Sequence, residues 1–355
     1  MKKCLFGAGI FLASSFVAFA GALNTKGVPA SAAGVVHIDF DAVSKSKIGQ
    51  TVKENSNASI PGEPDANLLA ELKKELTAGG VSLEDIADLT VALVPRKEGE
   101  PETVILVRGK FDPAKIADAA KKENLKAITI GEHTFFVEKL KSEKQPKGGL
   151  KLDSDVYFSP LDANTLLLAE NKTIAAAALD AFSGKAKSYT APSSLSAYGK
   201  VVGTPFVLVY VNGKIFPKQA PAKKNAEPDA LSLDANMTPP NPAHLFFALG
   251  EDTKNFKTRL AMTYANAADV QKTQAIAQMM LGMVAMFTNP AGPDGKPDPK
   301  KAADAAKINK IVSSLKITTA EPNYLIFSLD YPVDEIVSFL KEAAPAQNNA
   351  ATADK

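Results

Sequence analysis

His37, Asp39 and Asp41 alternate along one short stretch, and an H-x-D-x-D spacing can offer a metal ion an imidazole nitrogen and carboxylate oxygens together. No partner motif accompanies them. Polar residues alternating on a half-exposed strand give the same pattern, so a solvated strand face is the default expectation and the metal site a weak candidate. The chain holds 3 histidines, His37, His133 and His244, and a multi-histidine centre would need all of them to converge.

A second unusual stretch is AIAQMMLGMVAMF, with Met279, Met280, Met283 and Met286. Met279, Met283 and Met286 fall on one helical stripe. Three functional readings follow: thioether ligands for a soft metal such as copper(I), an adaptable surface for a partner, or the wall of a groove for a hydrophobic ligand. The ordinary reading is that methionine fills an irregular core. Among the functional alternatives a ligand or partner surface is preferred, because no histidine interleaves the methionines as a copper site would favour.

Nucleophilic and phosphate chemistry find little footing. There is no G-x-S-x-G, no phosphate-binding glycine loop, no H-E-x-x-H and no calcium loop. Ser44 and Lys47 have the S-x-x-K spacing of serine–lysine acyl-transfer enzymes, without the companion motifs that chemistry needs. Glu84-Asp85 and Asp334-Glu335 stand where helices should begin, and favourable placement at the positive end of a helix dipole explains them. Asn57, Asn171 and Asn236 lie in N-x-[ST] sequons, which matter only in a glycosylating host. With no tryptophan and 1 cysteine, few of the usual catalytic parts remain. The inventory weighs against an enzyme, and no cofactor is expected.

Composition narrows the partners. Of the 41 basic residues only Arg96, Arg108 and Arg259 are arginines, and no basic patch stands out, which argues against nucleic acid. Lys2 and Lys3, an apolar run over 5–17 and Ala18-Phe19-Ala20 read as a signal peptide, 1–20, removed after export. Removing the two lysines takes Lys+Arg from 41 to 39, equal to the 39 acidic residues. Cys4 would leave with the leader, so a mature chain would hold neither disulfide nor thiol. No later apolar run reaches the roughly 18 residues of a membrane span, and none is expected after cleavage.

The elements that must carry these residues follow one order four times: strand, turn, strand, helix. The second strands and helix entries are VILVRGKFDPAKIADAAKK, TLLLAENKTIAAAALDAF, RLAMTYANAADVQKTQAIAQ and LIFSLDYPVDEIVSFLKEA. Copies one and three lie about 155 residues apart and copies two and four about 160, which suggests a duplicated α+β unit. The expected fold class is α+β, with duplicated strand-strand-helix units forming antiparallel sheet or sheets covered by helices. The expected units are 35–185 and 192–343, with a boundary over 183–192 and a disordered polar tail over 344–355. A loose spacer is expected over 21–34, helices over 41–52 and 65–77, and exposed loops over 139–151 and 217–242. One sheet or two domains would both fit.

The resulting expectation is an exported, periplasmic or extracellular, non-catalytic binding or scaffold protein for an unknown protein or hydrophobic ligand. The first alternative is a hydrophobic-ligand carrier that uses the methionine helix as a groove wall. The second is a hydrolase with scattered carboxylates, for which His37 and His244 would be the first places to look.

Overall fold

A computed structural model describes residues 23–54, 81–96, 99–139, 155–192, 200–216, 238–287, 299–320 and 322–343, and the structural statements below concern these. The leader 1–20, the 65–77 helix, most of both loops, the 344–355 tail, Asn57 and Asn236 lie outside them.

Twelve strands form one antiparallel sheet. In chain order they are β1 (Gly34–Asp39), β2 (Ile86–Val94), β3 (Glu102–Gly109), β4 (Lys126–Ile130), β5 (His133–Lys139), β6 (Asp155–Asp162), β7 (Thr165–Ala169), β8 (Thr204–Asn212), β9 (His244–Glu251), β10 (Asn255–Thr263), β11 (Leu315–Ala320) and β12 (Tyr324–Pro332). The helices are α1 (Phe40–Lys45), α2 (Lys47–Glu54), α3 (Pro113–Lys122), α4 (Lys172–Phe182), α5 (Ala267–Phe287), α6 (Pro299–Ser314) and α7 (Val333–Ala343). The spatial order is β11-β12-β10-β9-β8-β1-β2-β3-β7-β6-β5-β4. The α+β class is therefore realised as a single sheet layered by helices.

Outward from the central β1–β8 pair the two halves share one strand order: β1-β2-β3-β7-β6 on one side, β8-β9-β10-β12-β11 on the other. The β4–β5 hairpin extends the first half beyond this shared set. Val35 faces Tyr210, His37 faces Leu208 and Ile38 faces Val207 across the seam.

Strand alternation sorts the core onto two faces. The first face carries Val35, Ala92, Leu106, Leu167, Tyr210, Phe246, Ala248 and Ala261, and α4 covers its outer part with Ile174, Ala175, Ala178 and Leu179. The second face carries Ile38, Val91, Ile105, Phe136, Phe158 and Leu168, covered by Ile116 and Ala120 of α3. In the second half α5 also lies on this second face, where Val270 meets Leu325, Tyr264 and Met262. Full burial of side chains such as Leu167, Phe135 and Leu106 stabilises each by about 1.5–3 kcal/mol over the exposed state.

Local chemistry explains the boundaries. Asp112 caps α3 by accepting from the amides of Ala114 and Lys115, with Pro113 at the first helical position. The expected 41–52 helix is two pieces. Ser46 breaks it: its amide reaches back to the Val43 carbonyl, and its hydroxyl oxygen accepts from the Gly49 amide 2.9 Å away, starting α2 afresh. Gly49 fits there because a Cβ would lie 2.0 Å from the Val43 carbonyl oxygen. The β11–β12 turn places Asn323 at φ 63°, a conformation asparagine tolerates better than most residues.

One expectation about a loose segment is corrected. Within the spacer expected over 21–34, the described residues from 23 on pack: Val28 is fully buried, and Ala32 and Ala33 nearly so. The 183–192 boundary supplies Tyr189 to the first-face core, and its amide donates to the Val28 carbonyl at 2.9 Å. Small residues allow a segment to lie flat against a sheet, and an isolated tyrosine then becomes its anchor.

Candidate functional site

His37 is not on a solvated face. It is 2% exposed, and its Nδ1 lies 2.9 Å from the Thr90 hydroxyl oxygen on the neighbouring strand. Asp88 Oδ1 is 3.8 Å from the same nitrogen and 2.8 Å from Arg108 Nη1. Burial, reinforced by the Arg108 charge, lowers the His37 pKa to about 4, so the ring is neutral at neutral pH. Burial raises the Asp88 acid, with Arg108 pulling the other way. The strand lies in the middle of the sheet, and alternation alone does not reveal that His37 is buried there.

The H-x-D-x-D stretch is not gathered around one point. Asp39 caps α1, its Oδ1 accepting from the Ala42 amide at 2.7 Å. Asp41, in the first turn of α1, lines a polar hollow of about 540 Å³ with Lys26, Glu84, Asp85, Arg108 and Lys110. Arg108 is already committed there, donating to Asp88 and to the carbonyls of Asn24 and Lys26. Among the described residues no three His, Cys, Asp or Glu side chains are grouped to hold a metal ion.

His37 and His244 stand on strands two apart. Leu208 faces both His37 and Ala248, four residues from His244, so the imidazoles are offset by roughly 13 Å along the strands and 10 Å across them. His244 instead pairs its Nδ1 with the Tyr210 hydroxyl at 2.8 Å. The three arginines are also occupied internally: Arg96 with Glu102, Arg108 with Asp88 and Arg259 with Asp330, at 2.8, 2.8 and 2.7 Å. Asn171 caps α4 through its side-chain oxygen, while its Nδ2 donates to Glu102.

Met279, Met280 and Met283 face outward: they are 36%, 52% and 39% exposed, so at these positions they do not fill a core. Met286 lies on the same helix, and its surroundings fall outside the described side chains. Val270 and Thr273, near the start of α5, are the buried side chains of the helix among its described residues.

A second concavity was not anticipated from the sequence. It is a cleft of about 390 Å³ on the second face, between α6, α7 and strands β10 and β12. Phe256, Ile311, Leu329, Ile336 and Phe339 make its walls, and Lys307, Tyr331, Glu335 and Ser338 its polar margin. No methionine of α5 lines it. Ile311 and Phe339 remain 42% and 53% exposed, so the apolar wall is open to solvent.

The polar margin is internally ordered. Lys310 donates to Glu335 Oε1 at 2.6 Å, and the Tyr331 hydroxyl donates to Oε2 at 2.9 Å. These bonds hold the Glu335 acid below the usual carboxylate range and raise the Lys310 ammonium. The Lys307 ammonium lies 5.6 Å from the centroid of the Phe339 ring. Asp334, next along α7, pairs with Lys47 of α2 at 3.1 Å. The sequence-level signal was the amphipathic spacing of Val333, Ile336 and Phe339; the gap that α6 leaves against α7 has none.

Fold and site together describe an α+β protein whose antiparallel sheet carries a helical layer with an open apolar cleft. No helix among the described residues is long and apolar enough to cross a membrane. No protein-family model matches the chain, and the comparison with curated proteins gives no match. Among solved structures, the chain is similar to TP0453 in crystal forms I, III and IV. The TM-scores are 0.39, 0.42 and 0.40 at 11%, 12% and 11% identity, over 91%, 90% and 94% of this chain and 99% of each TP0453 chain.

Proposed function

We propose that this protein is a non-catalytic binding protein that takes up a small apolar or amphipathic molecule in the cleft between α6, α7 and the β10–β12 surface. The observation that carries this is the cleft of about 390 Å³ with five apolar wall residues and four polar ones at its margin. That size and lining match small-molecule sites, which are mostly apolar with a few placed polar groups. Export to a periplasmic or extracellular compartment is part of the same proposal and rests on the leader-like 1–20 stretch.

The test is displacement or enhancement of a neutral solvatochromic dye, N-phenyl-1-naphthylamine, on the purified chain. Wild type is expected to bind it saturably, and Phe339→Glu to lose most of that binding. Phe339 is more than half exposed, so the substitution leaves the fold intact by circular dichroism. Unchanged dye binding in Phe339→Glu would move the ligand elsewhere.

A second reading, partner docking, is favoured by the outward methionines of α5, because an adaptable thioether surface suits a protein partner. It predicts that Met279→Gln with Met283→Gln abolishes a cross-link to that partner while leaving dye binding at the cleft unchanged.

A further inference from the structure

We infer that the ligand of the cleft is an uncharged long-chain molecule with a hydroxyl head, which donates its hydrogen bond to acceptors along α7; this rests on the binding reading above. The walls of Phe256, Ile311, Leu329, Ile336 and Phe339 call for a hydrocarbon chain. The head is decided by which hydrogen-bonding capacity the margin has left.

A hydroxyl carries one proton and two acceptor lone pairs. Tyr331 spends its proton on Glu335 Oε2 at 2.9 Å, and Ser338 spends its own on the Asp334 carbonyl oxygen at 2.9 Å. Toward a ligand both hydroxyls therefore keep lone pairs alone. Glu335 is held ionised by its bonds from Lys310 and Tyr331, and an ionised carboxylate only accepts. Each of its oxygens takes one of these bonds and retains a second lone pair. Glu335 and Ser338 stand three residues apart on α7, and Tyr331 four residues before Glu335 at the end of β12, so these acceptors share one side of the cleft.

Lys307 is engaged within the protein, its ammonium 5.6 Å from the centroid of the Phe339 ring. A carboxylate head would set acceptors against the acceptors of α7. A cationic head could donate, but Lys310 already neutralises Glu335, so the cation would lose hydration without meeting a net opposite charge. An ether has no proton to give. A hydroxyl has one, and carries no charge into the cleft.

The experiment compares dodecanol, its isomer undecyl methyl ether, dodecanoate and dodecyltrimethylammonium as competitors for the bound dye on the full chain. One hydrogen bond has a net worth of about 1 kcal/mol, so dodecanol should outcompete the ether by about fivefold. Raising the salt to about 1 M should leave that ratio unchanged, because neither molecule is charged. Both charged competitors should bind more weakly than dodecanol. Glu335→Met removes the central acceptor and releases the Tyr331 proton to the ether oxygen, so alcohol and ether should become equal while the dye still binds. Ser338 is exposed, and Ser338→Ala should reduce the alcohol preference by about twofold without disturbing the fold.

An ether that competes as well as dodecanol on wild type overturns the hydroxyl head and leaves the apolar cleft standing. So does a charged competitor that displaces the dye better than dodecanol. An alcohol preference that survives in both variants overturns the assigned head-group position. Failure of all four to displace the dye removes the binding reading at this cleft, and the hydroxyl ligand with it.

Discussion

A histidine held neutral inside a sheet makes the fold sensitive to acid. His37 has its pKa lowered to about 4 from 6.5, chiefly by burial. Between these values the unfolded chain binds the proton and the folded chain does not. Stability from this group is thus complete above pH 6.5 and falls as pH drops toward 4, by about 3 kcal/mol in all. Asp88 acts in the opposite sense, since a carboxyl whose pKa is raised binds its proton earlier in the folded state. The difference between wild type and His37→Gln isolates the histidine. Urea midpoints measured from pH 7 to pH 4 should drop more steeply for wild type, and parallel curves would show that His37 takes no part. At the same scale, Asp39 and Asn171 spend their side-chain oxygens on helix caps, and Arg108 donates to Asp88 and to backbone carbonyls.

At the scale of elements, the helices of the second half differ in how they meet the sheet. Val270 seats the start of α5, whereas Met279, Met280 and Met283 farther along are open to solvent. Met283→Asp should therefore change the unfolding free energy from urea curves by no more than about 0.5 kcal/mol, the usual range for surface positions. Leu325→Ala beneath α5 should cost about 2–5 kcal/mol, because Leu325 is fully buried between Val270 and the β10 surface. A large loss from Met283→Asp would mean that the methionines are covered after all. Helices α6 and α7 are joined by Lys310 and Glu335, and α7 is tied to α2 by Asp334 and Lys47. These exposed pairs contribute little energy.

For the whole molecule, the central β1–β8 pair decides how the halves behave. The first-face core runs through the seam without a break, from Leu106 and Ala92 through Val35 to Tyr210, Phe246 and Ala261. Glu251 of β9 accepts from the amides of Lys47 and Ile48 at the start of α2, a further bond between the halves. One cooperative unfolding transition is expected, coincident by far-ultraviolet circular dichroism and by tyrosine fluorescence. Tyr210→Ala should lower that single transition by about 3–5 kcal/mol rather than splitting it. Two separated transitions would show the halves to be independent domains.

What the amino-acid sequence determined by itself was local. Period-two runs marked the strands, Asp112-Pro113 opened α3, Gly131 turned the β4–β5 hairpin, and the repeated strand-strand-helix order signalled α+β. These rest on backbone propensity and on neighbours a few residues apart. The tertiary structure alone decided that the halves fuse into one sheet, that His37 is buried, and that Met279, Met280 and Met283 face out. It also decided that α6 and α7 leave a cleft between them. Each of these depends on which surfaces meet across long stretches of chain, and the same alternating or helical spacing is compatible with a covered face or an open one.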